Sequence, residues 1–313
     1  MPAGLVEDDD LQPDQVVEIV DLAYQFGTGE TLPPALAGKV ALLLFTQRSI
    51  SSRICAELAV SDLCGKPILV DVDPVQAGLG DRALAAETAR TLAGYCDLAM
   101  VRTGDHGALS AFADTFDRPL VNLGSDLVSP VRALADMVTL RQRLSRLAGR
   151  RLAVLGPAGP VTHSLLLTGA ACGLRITVAT PVGQEPDPEI LRRAEQVTAA
   201  TGGTVLLTHD PRVAVTGCEV VYATSWVKPE HSPGGPRQPT SRNEVFRACR
   251  LDAGLLSLAA TDALVMHATP TRRGAEVSAE ILTSPHSLIV AQAHNRLPAT
   301  QALLAAVARW HLA

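Results

Sequence analysis

Residues 39–65 have the sequence KVALLLFTQRSISSRICAELAVSDLCG, and this stretch decides the fold class. Its first seven residues form a short, continuous apolar run, which is typical of a parallel strand that is buried on both faces. A polar turn follows the run, and we predict that the next segment is a helix ending at Gly65. A buried strand that leads through a short turn into a helix is the repeating unit of α/β proteins.

The same alternation continues along the chain after this stretch. Predicted strands at residues 67–72, 98–102 and 119–122 alternate with predicted helices at residues 83–95 and 109–116. Strands that alternate with helices predict a parallel sheet with helices on both faces.

A long amphipathic segment at residues 130–148 separates this series from a second one, and we predict an interdomain helix there. The second series includes apolar runs at residues 151–155, 204–208 and 264–267. Since 313 residues suit two domains, we predict an α/β protein of two doubly wound parallel-sheet domains that are joined by interdomain helices.

Composition excludes several classes of function. The net charge of −5 gives no basic surface for nucleic acid, and no apolar run is long enough to cross a bilayer. The acidic, polar N-terminus does not resemble a signal peptide. The six cysteines include no CxxC pair, so we interpret them as buried, reduced thiols of a cytoplasmic protein, with Cys55 in the core.

The turn after the first strand is a candidate anion site. Ser49, Ser51 and Ser52 lie between the strand end and a helix that we predict to begin near Arg53. Free backbone N–H groups and the positive end of the helix dipole meet at such a position. Simple capping of the helix by serine explains the same residues, and the two interpretations stay open.

Several motifs in one order resemble the aspartate/ornithine carbamoyltransferase family. The segments are spread over nearly the whole chain, so their spacings must coincide. They are FTQRSISSR (45–53, family F-x-K-x-S-T-R-T-R), ETAR (87–90, D-T-A-R), MVRTGDH (100–106), SPVR with ALAD (129–136, H-P-x-Q-x-L-A-D), MHATPTRRG with AEV (266–277, M-H-C-L-P-x-x-R-G-x-E-V) and QAHNR (292–296, Q-A-E-N-R).

The resemblance implies a domain arrangement and a mode of action. Residues 1–146 would form a carbamoyl-phosphate-binding-like domain, with the C-terminal helix at 297–313 packing back on it. Residues 147–296 would form an acceptor-binding-like domain. The family also implies a homotrimer with active sites at subunit interfaces. An anionic donor, carbamoyl phosphate or an analogue, and an amine would be the substrates, and no metal or other cofactor would be needed.

The predicted donor site differs from the family pattern. The arginine that grips the donor phosphate in the family corresponds to Ser51, which supplies neither charge nor a bidentate fork. Arg132 stands in place of a glutamine and adds a positive charge nearby. This charge could compensate for the lost arginine or suit a different substrate. A plain surface arginine is the third interpretation. The predicted donor or anion-binding residues are Ser49, Ile50, Ser51, Ser52, Arg53, Ser129 and Arg132.

Three residues retained from the family motifs are the predicted catalytic residues: Arg102, His267 and Arg296. By resemblance, Arg102 would polarise the carbonyl oxygen as negative charge develops on it. His267 has an alternative interpretation as a packed histidine at a strand end.

The predicted acceptor side departs further from the family. The asparagine, aspartate, Ser-Met-Gly and cysteine that ornithine enzymes use are absent, and the aspartate pattern is not restored. We therefore expect an acceptor other than ornithine or aspartate, with Lys228 and Glu230 as a possible new charged pair. The predicted acceptor-binding residues are Pro160, Thr224, Lys228, Glu230, Ala268 and Thr269.

Two functions from different classes fit these observations. The first is a divergent carbamoyltransferase of specialised biosynthesis that transfers a carbamoyl group to an unusual amine. The second is a catalytically inactive paralogue that binds a ligand or stabilises a partner subunit. Loss of the phosphate-gripping arginine favours the second, whereas retention of Arg102, His267 and Arg296 favours the first.

Overall fold

A computed structural model describes residues 4–75, 77–226, 245–268 and 274–312. The chain divides into two compact units. The first comprises Met1–Arg143 together with Asn295–Ala313, and the second comprises Leu144–His294.

The first unit contains a five-stranded parallel sheet with strand order β1-β5-β4-β2-β3. Its elements are β1 (Gly4–Leu5), α1 (Pro13–Gly27), β2 (Val40–Phe45), α2 (Ile50–Asp62), β3 (Lys66–Asp71), α3 (Arg82–Leu92), β4 (Leu98–Arg102), α4 (His106–Thr115), β5 (Leu120–Gly124) and α5 (Pro130–Leu144). The last helix of the chain, α12 (Arg296–His311), belongs to this unit and packs against α1 and α2.

The second unit also contains a five-stranded parallel sheet, with strand order β10-β9-β6-β7-β8. Its elements are β6 (Arg151–Leu155), α6 (Pro160–Ala171), β7 (Arg175–Ala179), α7 (Pro188–Thr201), β8 (Thr204–Thr208), α8 (Pro211–Val215), β9 (Val220–Ala223), α9 (Ala253–Leu256), β10 (Leu264–His267), α10 (Ala279–Leu282) and α11 (Ile289–His294).

Two parallel sheets with flanking helices confirm the predicted fold class. In each sheet the strand order reverses beside the strand that opens the series, between β2 and β4 and between β6 and β9. Ligands of open α/β sheets bind at the carboxyl ends of the strands at such switch points. The fold therefore directs attention to the residues that follow β2, β4, β6 and β9.

Some predicted boundaries are corrected by the structure. Helix α2 begins at Ile50 rather than near Arg53, because Ser49 caps it. The amphipathic helix that begins at Pro130 ends at Leu144, and Ser145 follows with a positive φ of 58°. None of the helices in the described part of the chain is long and apolar enough to cross a membrane.

All six cysteines are free thiols, but the prediction that they are buried is wrong for half of them. Cys172, Cys218 and Cys249 are buried, whereas Cys64 is exposed and two others are half-buried. One of these two, Cys55, was assigned to the core from the sequence. Its helix, α2, instead buries Ala56, Ala59 and Val60 and leaves the thiol partly accessible.

Candidate active site

The loop after β2 presents a row of hydroxyl groups at the N-terminus of α2. Ser49 is the N-cap residue, and its hydroxyl accepts a hydrogen bond from the backbone N–H of Ser52 at 3.4 Å. The Ser49 hydroxyl also donates to the hydroxyl of Ser52 at 2.9 Å. The capping interpretation therefore holds for Ser49. It does not compete with anion binding, because the helix N-terminus still presents unpaired N–H groups and a positive dipole.

Arg102 ends β4, the strand next to β2, and is held against the end of β5. Its Nη1 donates to the carbonyl oxygen of Leu123 at 2.9 Å. The pairing of β4 with β5 shifts register between Val101 and Arg102, so that Arg102 lies opposite Gly124. The buried Nε of Arg102 has no hydrogen-bond partner among the described residues, which leaves a donor available to a ligand.

Gly124 makes the room that Arg102 occupies. Its φ of +132° disfavours any side chain, and a Cβ there would lie 2.4 Å from Arg102 Nη1. No sequence motif singles out this glycine. It becomes a site residue only because the strand register brings it beside the guanidinium.

Two further arginines lie in the same unit and line a small cavity beside α2. Arg296, at the start of α12, donates from Nη1 to the hydroxyl of Ser51 at 2.5 Å. Arg132 lies in the first turn of α5. The cavity has a volume of about 20 Å³ and is lined by Ser52, Cys55, Leu123, Val131, Arg132, Arg296 and Thr300.

The arginines interact electrostatically. Burial, followed by the charge of Arg132, lowers the pKa of Arg102 to about 10. Burial and then Arg132 likewise lower the pKa of Arg296 to about 10, although the buried carboxylate of Asp136 acts in the opposite direction. Like charges that depress one another's pKa in a partly buried pocket form a site that favours an anion. We call Arg102, Arg132 and Arg296 the arginine cluster.

The structure does not bring every predicted donor residue to the arginine cluster. Arg53 forms an ion pair with Asp71 at 3.0 Å, with both side chains nearly half exposed. The side chain of Ile50 is 81% exposed. Ser129 is buried at the start of α5, and its hydroxyl would lie 3.6 Å from a Cβ placed on Gly124.

In the second unit, the predicted acceptor residues that are described lie at the carboxyl ends of neighbouring strands. Pro160 is the first residue of α6, the helix that follows β6. Thr224 follows β9, and its hydroxyl lies 3.1 Å from the carbonyl oxygens of Leu155 and Pro157. Ala268 follows β10 and is buried.

His267, predicted to be catalytic, is the last residue of β10 and is fully buried. Its backbone N–H donates to Gln292 Oε1 at 2.9 Å, which ties the strand end to α11. This placement agrees with a packed strand-end histidine. The predicted residues Lys228, Glu230 and Thr269 lie outside the described residues.

Gly156 shapes this second edge as Gly124 shapes the first. Its φ is +113°, and a Cβ there would lie 2.6 Å from Thr224 Oγ1 and 3.4 Å from Trp226 Nε1. The backbone N–H of Trp226 donates to the buried carboxylate of Glu276 at 3.3 Å. A tight turn after β6 therefore depends on the absence of a side chain at residue 156.

Comparison with known protein families identifies the family to which the chain is related. Residues 4–142 match the carbamoyl-P binding domain of aspartate/ornithine carbamoyltransferases. Residues 148–307 match the Asp/Orn binding domain of the same enzymes. The chain belongs to the aspartate/ornithine carbamoyltransferase family.

Individual relatives agree with this assignment. The ornithine carbamoyltransferase of Parafrankia sp. (strain EAN1pec) is 39% identical over 301 residues, which cover 95% of this chain and 93% of the relative. That of Methanothermobacter thermautotrophicus is 37% identical over 291 residues, covering 93% and 94%. Membership of this carbamoyltransferase family supports a transferase.

Solved structures show the same fold. Ornithine carbamoyltransferase from Pyrococcus furiosus superposes with a TM-score of 0.89 at 32% identity, covering 96% of each chain. The enzyme from Gloeobacter violaceus gives 0.86 at 34% identity, covering 98% of each chain.

Several residues that line the small cavity at the arginine cluster were not predicted from the sequence. Cys55, Leu123, Val131 and Thr300 line it. None of them carries a signal by residue type, since each is an ordinary helix or strand residue until the fold places it. In the described ranges, no three His, Cys, Asp or Glu side chains are grouped so as to hold a metal ion.

A larger cavity, of about 420 Å³, lies elsewhere in the first unit. Its lining mixes the acids Glu7, Asp10 and Asp114 with Arg118. Because acids outnumber bases there, this cavity is not suited to a phosphate. The smaller cavity at the arginine cluster is the candidate site for an anionic substrate, because Arg132 and Arg296 line it.

Proposed function

We propose that this chain is a carbamoyltransferase that moves a carbamoyl group from carbamoyl phosphate to an amine other than ornithine or aspartate. The arginine cluster carries the proposal. Arg102, Arg132 and Arg296 supply three guanidinium groups beside the N-terminus of α2. Guanidinium groups and helix N-termini are the usual partners of a phosphate.

In the proposed reaction, the uncharged nitrogen of the amine attacks the carbonyl carbon of carbamoyl phosphate. A C–N bond forms, the bond from carbon to the phosphate oxygen breaks, and phosphate leaves with the electron pair and takes up the proton that the nitrogen loses. Arg102 would stabilise the negative charge that develops on the carbonyl oxygen, through its unpartnered Nε. Arg132 and Arg296 would hold the phosphate, so the protein acts by positioning and charge.

Ser51 has a different role in this proposal from the arginine that the family motif carries. It accepts a hydrogen bond from Arg296 and so orients a guanidinium instead of supplying one. Arg132 would bring the missing charge from α5. The number of positive groups is thereby maintained with a different distribution around the pocket.

The comparisons and the residue types at the second edge favour different acceptors. The relatives reported above are named ornithine carbamoyltransferase, which favours ornithine. The residue types at Pro160, Thr224 and Ala268 favour a different amine, because none of them supplies a charged group for an amino-acid zwitterion. His267 would stabilise the acceptor-side strand end, where its backbone is tied to Gln292.

The proposal also includes a homotrimer, as the family resemblance implies. An apolar stripe on α2 supports self-association: Ile50, Ile54 and Leu58 recur every four residues and are 81%, 52% and 45% exposed. This stripe is on the helix that starts at the anion site. Sedimentation velocity tests it: Ile54→Lys should give a smaller species, whereas Val213→Lys, at an exposed position of α8, should not.

Calorimetric titration with carbamoyl phosphate, with inorganic phosphate as the control, tests the donor. Saturable binding that Arg132→Gln weakens is expected, and no binding at millimolar donor would overturn the donor assignment. The acceptor is tested by screening primary amines for ureido products, with ornithine and aspartate in the panel. Turnover of ornithine at a rate above that of every other amine would overturn the acceptor part.

The inactive-paralogue alternative gains no support from the comparisons. It predicts a different result in the same experiments: donor binding without a ureido product from any amine. The panel therefore includes diamines, ω-amino acids and α-amino acids, so that the acceptor chemistry is sampled widely.

A further inference from the structure

Asn295 precedes Arg296 and is the N-cap residue of α12, yet its side chain does not cap the helix. Asparagine is among the preferred capping residues because its side-chain oxygen accepts from the first N–H groups. Here the amide instead leaves its own helix and bonds to α5. The backbone angles of Asn295 are helical, with φ −72° and ψ −5°, and not the extended angles of a capping residue, so its buried amide needs partners elsewhere.

The amide of Asn295 is fully used by two residues of α5. Its Nδ2 donates to Gln142 Oε1 at 2.8 Å and to Thr139 Oγ1 at 3.0 Å. Its Oδ1 accepts from Gln142 Nε2 at 3.0 Å. The hydroxyl of Thr139 donates to the carbonyl oxygen of Ala135 at 2.8 Å and is therefore free to accept from Asn295. We call Asn295, Gln142 and Thr139 the amide clamp.

The amide clamp holds the start of α12, where Arg296 is repelled by the other two arginines of the cluster. Arg296 lies close enough to Arg132 and Arg102 for their charges to depress its pKa, while Asp136 opposes them. Arg132, Asp136 and Thr139 recur at spacings of four and three, so they share one face of α5. The same face of α5 thus carries Arg132, which repels Arg296, and Asp136, which attracts it. It also carries Thr139 of the amide clamp.

We propose that the amide clamp positions Arg296 in the anion site, holding the first turn of α12 at a fixed distance from Arg132. Asn295, Gln142 and Thr139 are positioning residues, because they act on the donor through Arg296 and not by contact with it. The inference rests on the proposed function for the identity of the anion as the donor phosphate. It does not rest on it for the position of Arg296.

Gln142→Met tests the clamp, because it removes both hydrogen bonds of an exposed side chain and keeps its length. Arg143→Met is the matched control at the next, exposed position of α5. We expect Gln142→Met to raise the Kd for inorganic phosphate about three- to tenfold, from the loss of two hydrogen bonds. The control should leave it unchanged. In turnover, Gln142→Met should raise the KM for the donor more than it lowers kcat.

A conservative variant separates positioning from general stability. In Gln142→Glu the carboxylate still accepts from Asn295 Nδ2 but no longer donates to Oδ1, so its Kd should lie between those of the parent and Gln142→Met. The melting temperatures of the ligand-free variants should not follow this order. A Kd that follows melting temperature alone would overturn the proposal in favour of a purely structural role.

Crystal structures of the parent protein and of Gln142→Met provide a test that needs no ligand. The Arg296 guanidinium should leave the Ser51 hydroxyl in the variant, by about 1 Å or more, a displacement that matters at an active site. An unmoved guanidinium overturns the clamp. Failure of the parent to bind either phosphate or carbamoyl phosphate would overturn the proposed function instead, and the two failures are therefore distinguishable.

Discussion

The carboxyl edges of the two sheets occupy equivalent places in the fold but carry different side chains. After β2 and β4, the first edge gathers the arginine cluster and the hydroxyls that cap α2. After β6, β9 and β10, the described part of the second edge presents Pro160, Thr224, His267 and Ala268. Both edges use a glycine with positive φ, Gly124 and Gly156, to make room for a side chain from the neighbouring strand.

This comparison indicates which part of a transferase tolerates change. A phosphate needs positive charge whichever amine is carbamoylated, so the first edge keeps its charge even when Ser51 replaces an arginine. In the proposed function the second edge would contact the amine, and its polar groups would change with the amine. Five experiments test this contrast.

The largest effect is expected at Arg102, which we place beside the reacting carbonyl. Arg102→Ala should lower kcat by about a thousandfold, the upper end of the loss of one oxyanion-stabilising donor. Arg102→Lys, which retains charge without the fork, should recover only part of the rate. The measurement is the initial rate of ureido product with the best amine of the panel. A parental rate in Arg102→Ala would remove this residue from the mechanism.

A charge exchange tests whether Arg132 replaces the arginine that the family has at residue 51. Arg132→Gln alone should raise the Kd for carbamoyl phosphate about ten- to a hundredfold, the value of one charge-assisted hydrogen bond. Ser51→Arg in that background should recover affinity, because it returns the charge from α2. Calorimetry of the two single variants and the double variant completes the cycle. Equal affinities of Arg132→Gln with and without Ser51→Arg would argue against compensation.

Substitution of Gly124 or Gly156 should disturb the first or the second sheet edge separately. Gly124→Ala should displace Arg102 and weaken phosphate binding, whereas Gly156→Ala should displace Thr224 and leave phosphate binding intact. Each should cost about 1–3 kcal/mol of stability, from backbone strain. Gly159→Ala is the control, since its φ is −177° and no atom lies near a Cβ there. Loss of phosphate binding in Gly156→Ala would contradict the separation of the two edges.

The smallest effect is expected from pH. Burial and then Arg132 lower the pKa values of Arg102 and Arg296 to about 10, so both are charged at neutral pH and lose protons as pH rises through that value. Affinity for sulfate, a dianion throughout, should stay level from about pH 7 to 9 and fall a few-fold near pH 10. Calorimetry at each pH measures it. A level affinity beyond pH 10 would contradict a loss of charge from the guanidinium groups that hold the anion.

The same shifts determine the sign of a stability effect. Both pKa values in the folded chain lie below the ordinary pKa of arginine, so the charged arginines cost stability at every pH below about 10. That cost is relieved as the pH rises from about 10 towards the ordinary pKa of arginine. A bound dianion relieves it at neutral pH, so sulfate should raise the melting temperature of the parent more than that of Arg132→Gln.

The fold class and the candidate donor residues were accessible from the sequence alone. The alternation of apolar runs with amphipathic segments specifies parallel sheets, because each strand must bury both faces and each helix only one. Ser49, Arg102, Arg132 and Arg296 were identifiable as polar or charged residues within motifs. Their charge and hydrogen-bonding capacity depend only on residue type, which can be read directly from the sequence.

Tertiary structure decided which of these residues meet. Arg53 was predicted at the anion site but pairs with Asp71 on the surface, and Cys55 was predicted in the core but lines the cavity. Gly124 and Asn295 gained their roles only from a register shift in β5 and from the approach of α12 to α5. Periodicity along a chain reports which face of an element is buried. It does not report which side chain of another element will arrive there, because that depends on how the elements pack together.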